Sequence, residues 1–178
     1  EDIDANIFNK LNLEKLLKTK EILKKVNSKN EINFISKKFS RNPIDELNLK
    51  VDLAYGRINY LKKISISDGF FRCEGNLNLL EEFPLLFFDC SITADNREDL
   101  FKKFSIKSKD KKKFLKLNIR GNINILNNKI NFKKISMNEN YKATNEDLIY
   151  FKEVFENIVF DENFLKIFNF KKIKNFFS

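Results

Sequence analysis

The chain has no His and no Trp, only two Cys, four Gly, two Pro and one Met in 178 residues. Without histidine it lacks the commonest general base, the Ser-His and Cys-His nucleophile pairs, and nearly every zinc site that is not all-thiolate or carboxylate-rich. Two cysteines are too few for a four-thiolate centre. Gly56, Gly69, Gly75 and Gly121 form no phosphate-cradling loop of the G-x-G-x-x-G or Walker kind. The expectation is a protein that is not an enzyme, with no catalytic residues, metal ligands or cofactor. Long apolar runs are also missing. Phe83-Pro84-Leu85-Leu86-Phe87-Phe88 falls far short of the ~20 residues a membrane-spanning helix needs, and the start has no signal-peptide pattern. The chain opens on Glu1-Asp2 and its sole Met is Met137, so it is read as a fragment, 1–178, of a longer protein.

What is present is concentrated in four residue types. Lys (29), Asn (25), Ile (20) and Phe (20) make up 94 of 178 residues, and all four can be encoded by A and T alone. The net charge of +9 can therefore arise from base composition without any polyanionic partner. A length of 178 residues and 42% hydrophobic content fit one globular unit with a core.

The clearest pattern is period-two alternation from 47 to 138. Leu47, Leu49, Val51, Leu53 and Tyr55 are all at odd positions, as a strand with one wet and one dry face requires. After Gly56-Arg57 the apolar set is even (Ile58, Tyr60, Ile64, Ile66). It turns odd after Asp68-Gly69 (Phe71, Cys73, Leu77, Leu79) and even again after Pro84 (Leu86, Phe88, Cys90, Ile92). Two-residue hairpin turns pair positions whose numbers add to an odd total, so parity must switch at each turn if one face is to stay apolar. It switches at all three turns. Residues 117–138 then repeat the pattern of 47–67, with Leu117, Ile119, Ile123 and Ile125 before Asn127-Asn128 and Ile130 and Phe132 after it. Ile135 and Met137 slip out of parity, which predicts a bulge near Lys133-Lys134.

Helices are expected at the ends and between the repeats. Asn12 caps a helix running to Val26. Asp95 with Glu98 opens one from Asn96 to Phe104, and Thr144-Asn145-Glu146-Asp147 forms a capping box for one reaching about Val159. A further helical stretch follows Asp161, with Phe164, Ile167 and Phe170 on its stripe. Residues 28–46 read as loop with a short strand at Ile32 to Ile35. The expected organisation is an N-terminal helix and loop (1–46), a repeated β-meander (47–138) and C-terminal helices (139–178).

Six strands at ~4.8 Å spacing, each about nine residues at ~3.3 Å, give a dry face of ~900 Å². That exceeds the ~300–600 Å² a soluble monomer usually leaves open. Either the terminal helices cover it as an ordinary core, or the sheet curls, the helices cap its ends and a trough for acyl chains remains. The basic run Lys109-Asp110-Lys111-Lys112-Lys113 admits a nucleic-acid module as a third reading. The aromatics sit on apolar stripes rather than beside these lysines, so no nucleic-acid partner is expected. Cys73 and Cys90 add to 163, as do Leu79 and Pro84 flanking their loop. In that register they face each other on the dry side, as a candidate disulfide or as two buried thiols.

The run Ile64-Ser65-Ile66-Ser67-Asp68-Gly69-Phe70-Phe71-Arg72-Cys73-Glu74-Gly75 is followed by Pro84 before Leu85-Leu86-Phe87-Phe88 and by Asp99-Leu100. With the later hairpin from Leu117 to Met137, it resembles the C-terminal region of AsmA-like proteins over roughly residues 47–177. The resemblance implies a repeating antiparallel sheet folded into a U-shaped trough. It also implies a place on the periplasmic side of the inner membrane of a Gram-negative bacterium, with roles in outer-membrane biogenesis and phospholipid movement. The expected fold class is thus α+β: an antiparallel β-meander of about six strands with one apolar face, curled into a trough. Helices would stand at both ends, with one short helix between the two strand repeats. The candidate lipid-binding residues are the dry set named above apart from the two cysteines (Leu47 to Ile92 on the first four strands), with Leu115, Leu117, Ile119, Ile123, Ile125, Ile130 and Phe132. Expected partners are phospholipid, neighbouring β-repeats of the same full-length protein, and a membrane reached through parts of the chain outside this sequence. The other reading is a structural or protein-interaction domain whose sheet face is filled by its own helices.

Overall fold

The structure, a computed structural model, describes residues 17–36, 44–66, 69–103, 114–138 and 140–159. These form an α+β fold in which one open, curled antiparallel sheet holds every strand in chain order. In order, the elements are α1 (Lys20–Leu23), β1 (Asn27–Ile35), β2 (Glu46–Ala54), β3 (Arg57–Ile66), β4 (Gly69–Asn78), β5 (Leu85–Ala94), α2 (Arg97–Lys103), β6 (Leu115–Asn124), β7 (Lys129–Met137), β8 (Tyr141–Lys142) and α3 (Asn145–Val159).

The meander therefore has eight strands where about six are expected, and it extends beyond 47–138 in both directions. β1 is nine residues long, whereas only Ile32 to Ile35 reads as strand. Its dry face opens with Ser28 and Asn30, which hide the alternation until Ile32 and Phe34. These four pair across to Leu53, Val51, Leu49 and Leu47 of β2. At the other margin β8 adds two residues against Ser136 and Met137.

Parity switching gives the observed registers. Leu53 opposes Ile58 across the first hairpin, Cys73 opposes Cys90, and Ile92 opposes Leu117. The first hairpin closes through Tyr55 (φ 50) and Gly56 (φ 90), the pair of positive φ values that a two-residue turn between right-twisted strands needs. The bulge falls where the slipped parity places it. Arg120 pairs with Lys134 and Gly121 with Phe132, leaving Lys133 as the extra residue.

The helix caps are local. The Thr144 hydroxyl accepts from the Asp147 N–H at 3.2 Å while the Asp147 carboxylate accepts from the Thr144 N–H at 2.8 Å, a reciprocal capping box opening α3. At α2 the cap is Asn96 rather than Asp95. The Asn96 Oδ1 accepts from the Glu98 N–H at 3.1 Å, and its carbonyl accepts the Leu100 N–H at 3.2 Å. Asn12 and the stretch after Asp161 lie outside the described residues, as do Phe104 and Lys109 to Lys113.

Candidate functional site: the apolar face of the sheet

The registers put one side chain from every second residue on a common face. Leu47, Leu49, Val51 and Leu53 of β2 meet Ile64, Lys62, Tyr60 and Ile58 of β3. These meet Phe71, Cys73, Gly75 and Leu77 of β4, which in turn meet Ile92, Cys90, Phe88 and Leu86 of β5. Leu117, Ile119, Gly121 and Ile123 of β6 continue the rungs, with Leu115 at the end, and β7 adds Ile130 and Phe132. Nearly all of the candidate lipid-contact residues therefore share one face.

Three candidates stand elsewhere. Tyr55 occupies the hairpin turn, is 58% exposed, and its hydroxyl accepts from the Asn27 side-chain amide at 3.5 Å. The alternation runs through it although the strand has ended at Ala54. Leu79 and Ile125 follow the ends of β4 and β6 and are 0% and 3% exposed. They are packing anchors at one end of the face rather than lining.

Burial divides the face into two plugs and an open middle. At the end carrying Leu79 and Ile125, a core of Leu77, Ile123, Ile130, Phe132 and Ile135 is covered by Leu17, by Leu23 of α1 and by Leu148, Phe151 and Phe155 of α3. Phe132 packs edge to face with Phe155 at 5.5 Å and with Phe88 at 6.1 Å. At the opposite end Leu100 of α2 sits among Ile64, Ile66, Ala94 and Leu115. Between the plugs, Leu49, Val51, Tyr60, Lys62 and Cys90 are half-buried and belong to neither cluster. The terminal helices thus cover part of the apolar face, mostly over β6 and β7, and leave part of it uncovered by described residues.

Two glycines occupy rungs of this face where a side chain has no room. Tyr60 lies directly opposite Gly75, and Phe88 directly opposite Gly121. A Cβ on Gly75 would meet the Phe87 carbonyl oxygen and, at 2.8 Å, the Tyr60 hydroxyl; one on Gly121 would meet the Asn131 carbonyl oxygen and, at 2.7 Å, Phe88 Cζ. Glycine at these rungs leaves room for the Tyr60 hydroxyl and the Phe88 ring tip to approach the backbone of the neighbouring strand. The Tyr60 hydroxyl reaches across β4 to donate to the Phe87 carbonyl at 3.5 Å. Its burial pushes the phenol up to about 12. Beside it Cys73 and Cys90, a directly opposed pair, are joined in a disulfide across β4 and β5.

Lys62 breaks the apolar lining. It occupies an even, dry-face position of β3, opposite Leu49 on one side and Cys73 on the other. Desolvation lowers its ammonium from 10.5 to about 8. The signal is in the sequence as the gap at 62 in the even series Ile58, Tyr60, Ile64, Ile66, which the parity argument steps over.

The opposite face carries the charges. Arg72 pairs with Glu74 at 2.6 Å, Lys50 with Glu31 at 3.3 Å, and Arg120 with Asp89, while Lys133 stands 5.5 Å over the Phe87 ring. A depression of about 510 Å³ is lined there by Asn59, Glu74, Asn76, Asp89, Arg120 and Lys133, over the backbones of Gly75 and Gly121. It mixes charges of both signs. Among the described residues no three His, Cys, Asp or Glu side chains gather as metal ligands, and no helix is long and apolar enough to cross a membrane.

Fold and site together define an open, curled β-meander whose one apolar face is plugged at both ends and braced by a disulfide. Compared with family models, curated proteins and solved structures, the chain matches none.

Proposed function

We propose that this chain is a non-enzymatic lipid-binding segment that shelters the acyl chains of phospholipid in the apolar trough. The observation that carries this is the division of the dry face: two closed plugs with a half-buried stretch between them in which Leu49 and Val51 stand beside Tyr60, Lys62 and the disulfide. Water over that stretch is costly. An acyl chain lying there removes it at ~0.8 kcal/mol per buried CH₂, with no chemistry required. The AsmA-like resemblance supports the same role in a bacterial envelope, where the chain would carry phospholipid between membranes during outer-membrane biogenesis. The cross-strand disulfide suits an oxidising compartment such as the periplasm.

A second reading is favoured by α3 and the segment at Leu17 and Leu23, which pack on the apolar face itself. In it the trough is a self-filled core and the sheet is a structural or interaction module. Mass spectrometry of lipid co-extracted with the purified protein, with uptake of a fluorescent phospholipid, separates the two. Lipid binding predicts stoichiometric phospholipid and saturable uptake. A folded, lipid-free protein that takes up none contradicts it.

A further inference from the structure

We infer that two copies of this chain pair through β1, forming a two-fold dimer whose sheets join edge to edge. This goes beyond lipid binding and does not depend on it. Val26 accepts the Tyr55 N–H and Ser36 donates to the Asp45 carbonyl, both at 2.8 Å. In the β1–β2 register these are hydrogen-bonded pairs, so the even residues of β1 carry the ladder to β2. The N–H and C=O groups of Asn27, Lys29, Glu31, Asn33 and Ile35 point the other way, where no described strand pairs with them. An edge that refuses partners is short, bulged, or carries proline or an inward-facing charge. β1 is nine residues long, pairs with β2 without a bulge, has no proline, and keeps Ser28, Asn30, Ile32 and Phe34 at its dry positions. Its only charges, Lys29 and Glu31, are opposite in sign and neighbours on the wet side.

Those two charges select the register. Antiparallel self-pairing that engages the outward groups and keeps both dry faces on one side sets odd residues against odd ones. Full overlap of the strands would put Glu31 against itself. A shift of two residues one way puts Lys29 against Ile35 and Glu31 against Asn33, leaving both charges unmatched. The same shift the other way puts Lys29 against the partner's Glu31 and Glu31 against the partner's Lys29, with Asn30 on the two-fold axis facing its own copy. Opposite charges directly across a strand pair favour this arrangement, and like charges disfavour full overlap. Glu31 has room for the contact, since its side chain is 45% exposed beside Lys50. The pairing closes about eight backbone hydrogen bonds from groups otherwise left to water. α1 does not obstruct it, because Leu23 turns in onto the core of Leu77, Ile123 and Ile125.

The test is sedimentation equilibrium of the whole chain, with circular dichroism checking that each variant keeps its sheet. One strand pair is a small interface, so the expected dimer forms between ~1 and ~100 µM. Lys29→Glu and Glu31→Lys should each weaken association about tenfold, and the two together should restore it. Lys29→Glu keeps the pair between Glu31 and Lys50, and it serves alone if the reversal at Glu31 disturbs the fold. Asn30→Cys should give a covalent dimer on mild oxidation, because directly opposed residues of a non-hydrogen-bonded pair sit ~4.5 Å apart between Cα atoms. Ser28→Cys would lie ~13 Å from its own copy and should not cross-link. A chain that stays monomeric to ~100 µM overturns the dimer. A dimer indifferent to Lys29→Glu, or one that Asn30→Cys fails to cross-link, overturns the β1 contact. None of these outcomes bears on lipid uptake.

Discussion

At Lys62 and Tyr60 the same burial acts on two titrating groups in opposite directions. Lys62 falls to about 8 in the fold against 10.5 when solvated, so between those values the unfolded chain holds the extra proton. Stability therefore rises with pH through that window. Tyr60 rises to about 12 from 10.0, so the folded chain holds the extra proton there and stability falls as pH climbs from 10. Denaturant titrations across this range should show a maximum near pH 10. Lys62→Met should remove the rise on the acid side and leave the fall. A flat profile between pH 8 and 10 in the unmodified chain would contradict the buried placement of this lysine. The glycine seats are as specific: Gly75→Ala forces a methyl group against the Phe87 carbonyl and the Tyr60 hydroxyl. The expected loss is about 1–3 kcal/mol in equilibrium unfolding. Gly121→Ala should behave alike. Period-two patterning does place Lys62 on the dry face, as the gap at 62 in the even series, whereas the glycine seats escape it, because parity says which face a residue occupies and not which rung it shares or what lies over it.

Elements were legible wherever a residue pattern is tied to backbone geometry. The sum of 163 for Cys73 and Cys90, the slipped parity at Lys133, and the Thr144 and Asp147 capping pair each appear in the structure as expected. β1 was legible only in part because Ser28 and Asn30 occupy dry positions of an edge strand, where burial asks little of them. Tyr55 misleads for the opposite reason, since it continues the alternation into a turn. Two predictions belong at this scale. The disulfide closes a loop with a sequence separation of 17, so reduction, or Cys73→Ser with Cys90→Ser, should cost ~3 kcal/mol in unfolding while far-ultraviolet circular dichroism keeps its sheet signal. Thr144→Ala should cost ~1 kcal/mol and loosen α3. Glu156 on that helix accepts the Ile130 N–H at 2.9 Å and pairs with Lys129 at 3.1 Å. The α3 helix and β8 thus cover the β7 margin, whereas β1 remains an edge among the described strands. That edge suits the expectation that neighbouring β-repeats continue the sheet.

For the molecule as a whole, the separation of charge from apolar surface explains why a net charge of +9 need not signal a polyanion. Lys50, Arg72 and Arg120 stand on the wet face beside Glu31, Glu74 and Asp89, where exposed pairs contribute little to stability. The dry face was legible as a face from Leu47 to Phe132. Its division into plugs and open stretch was not, because it depends on where α2 and α3 dock and on packing between residues distant in sequence, such as Phe132 with Phe155. The central claim is that lipid lies on the dry face of β2 and β3, and adjacent residues with opposite orientations test it most directly. A photoactivatable residue placed at Val51 or Leu49 should cross-link to acyl-labelled phosphatidylglycerol, while the same residue at Asp52 or Lys50 should not. Equal labelling at all four positions, or labelling confined to Asp52 and Lys50, would contradict the account.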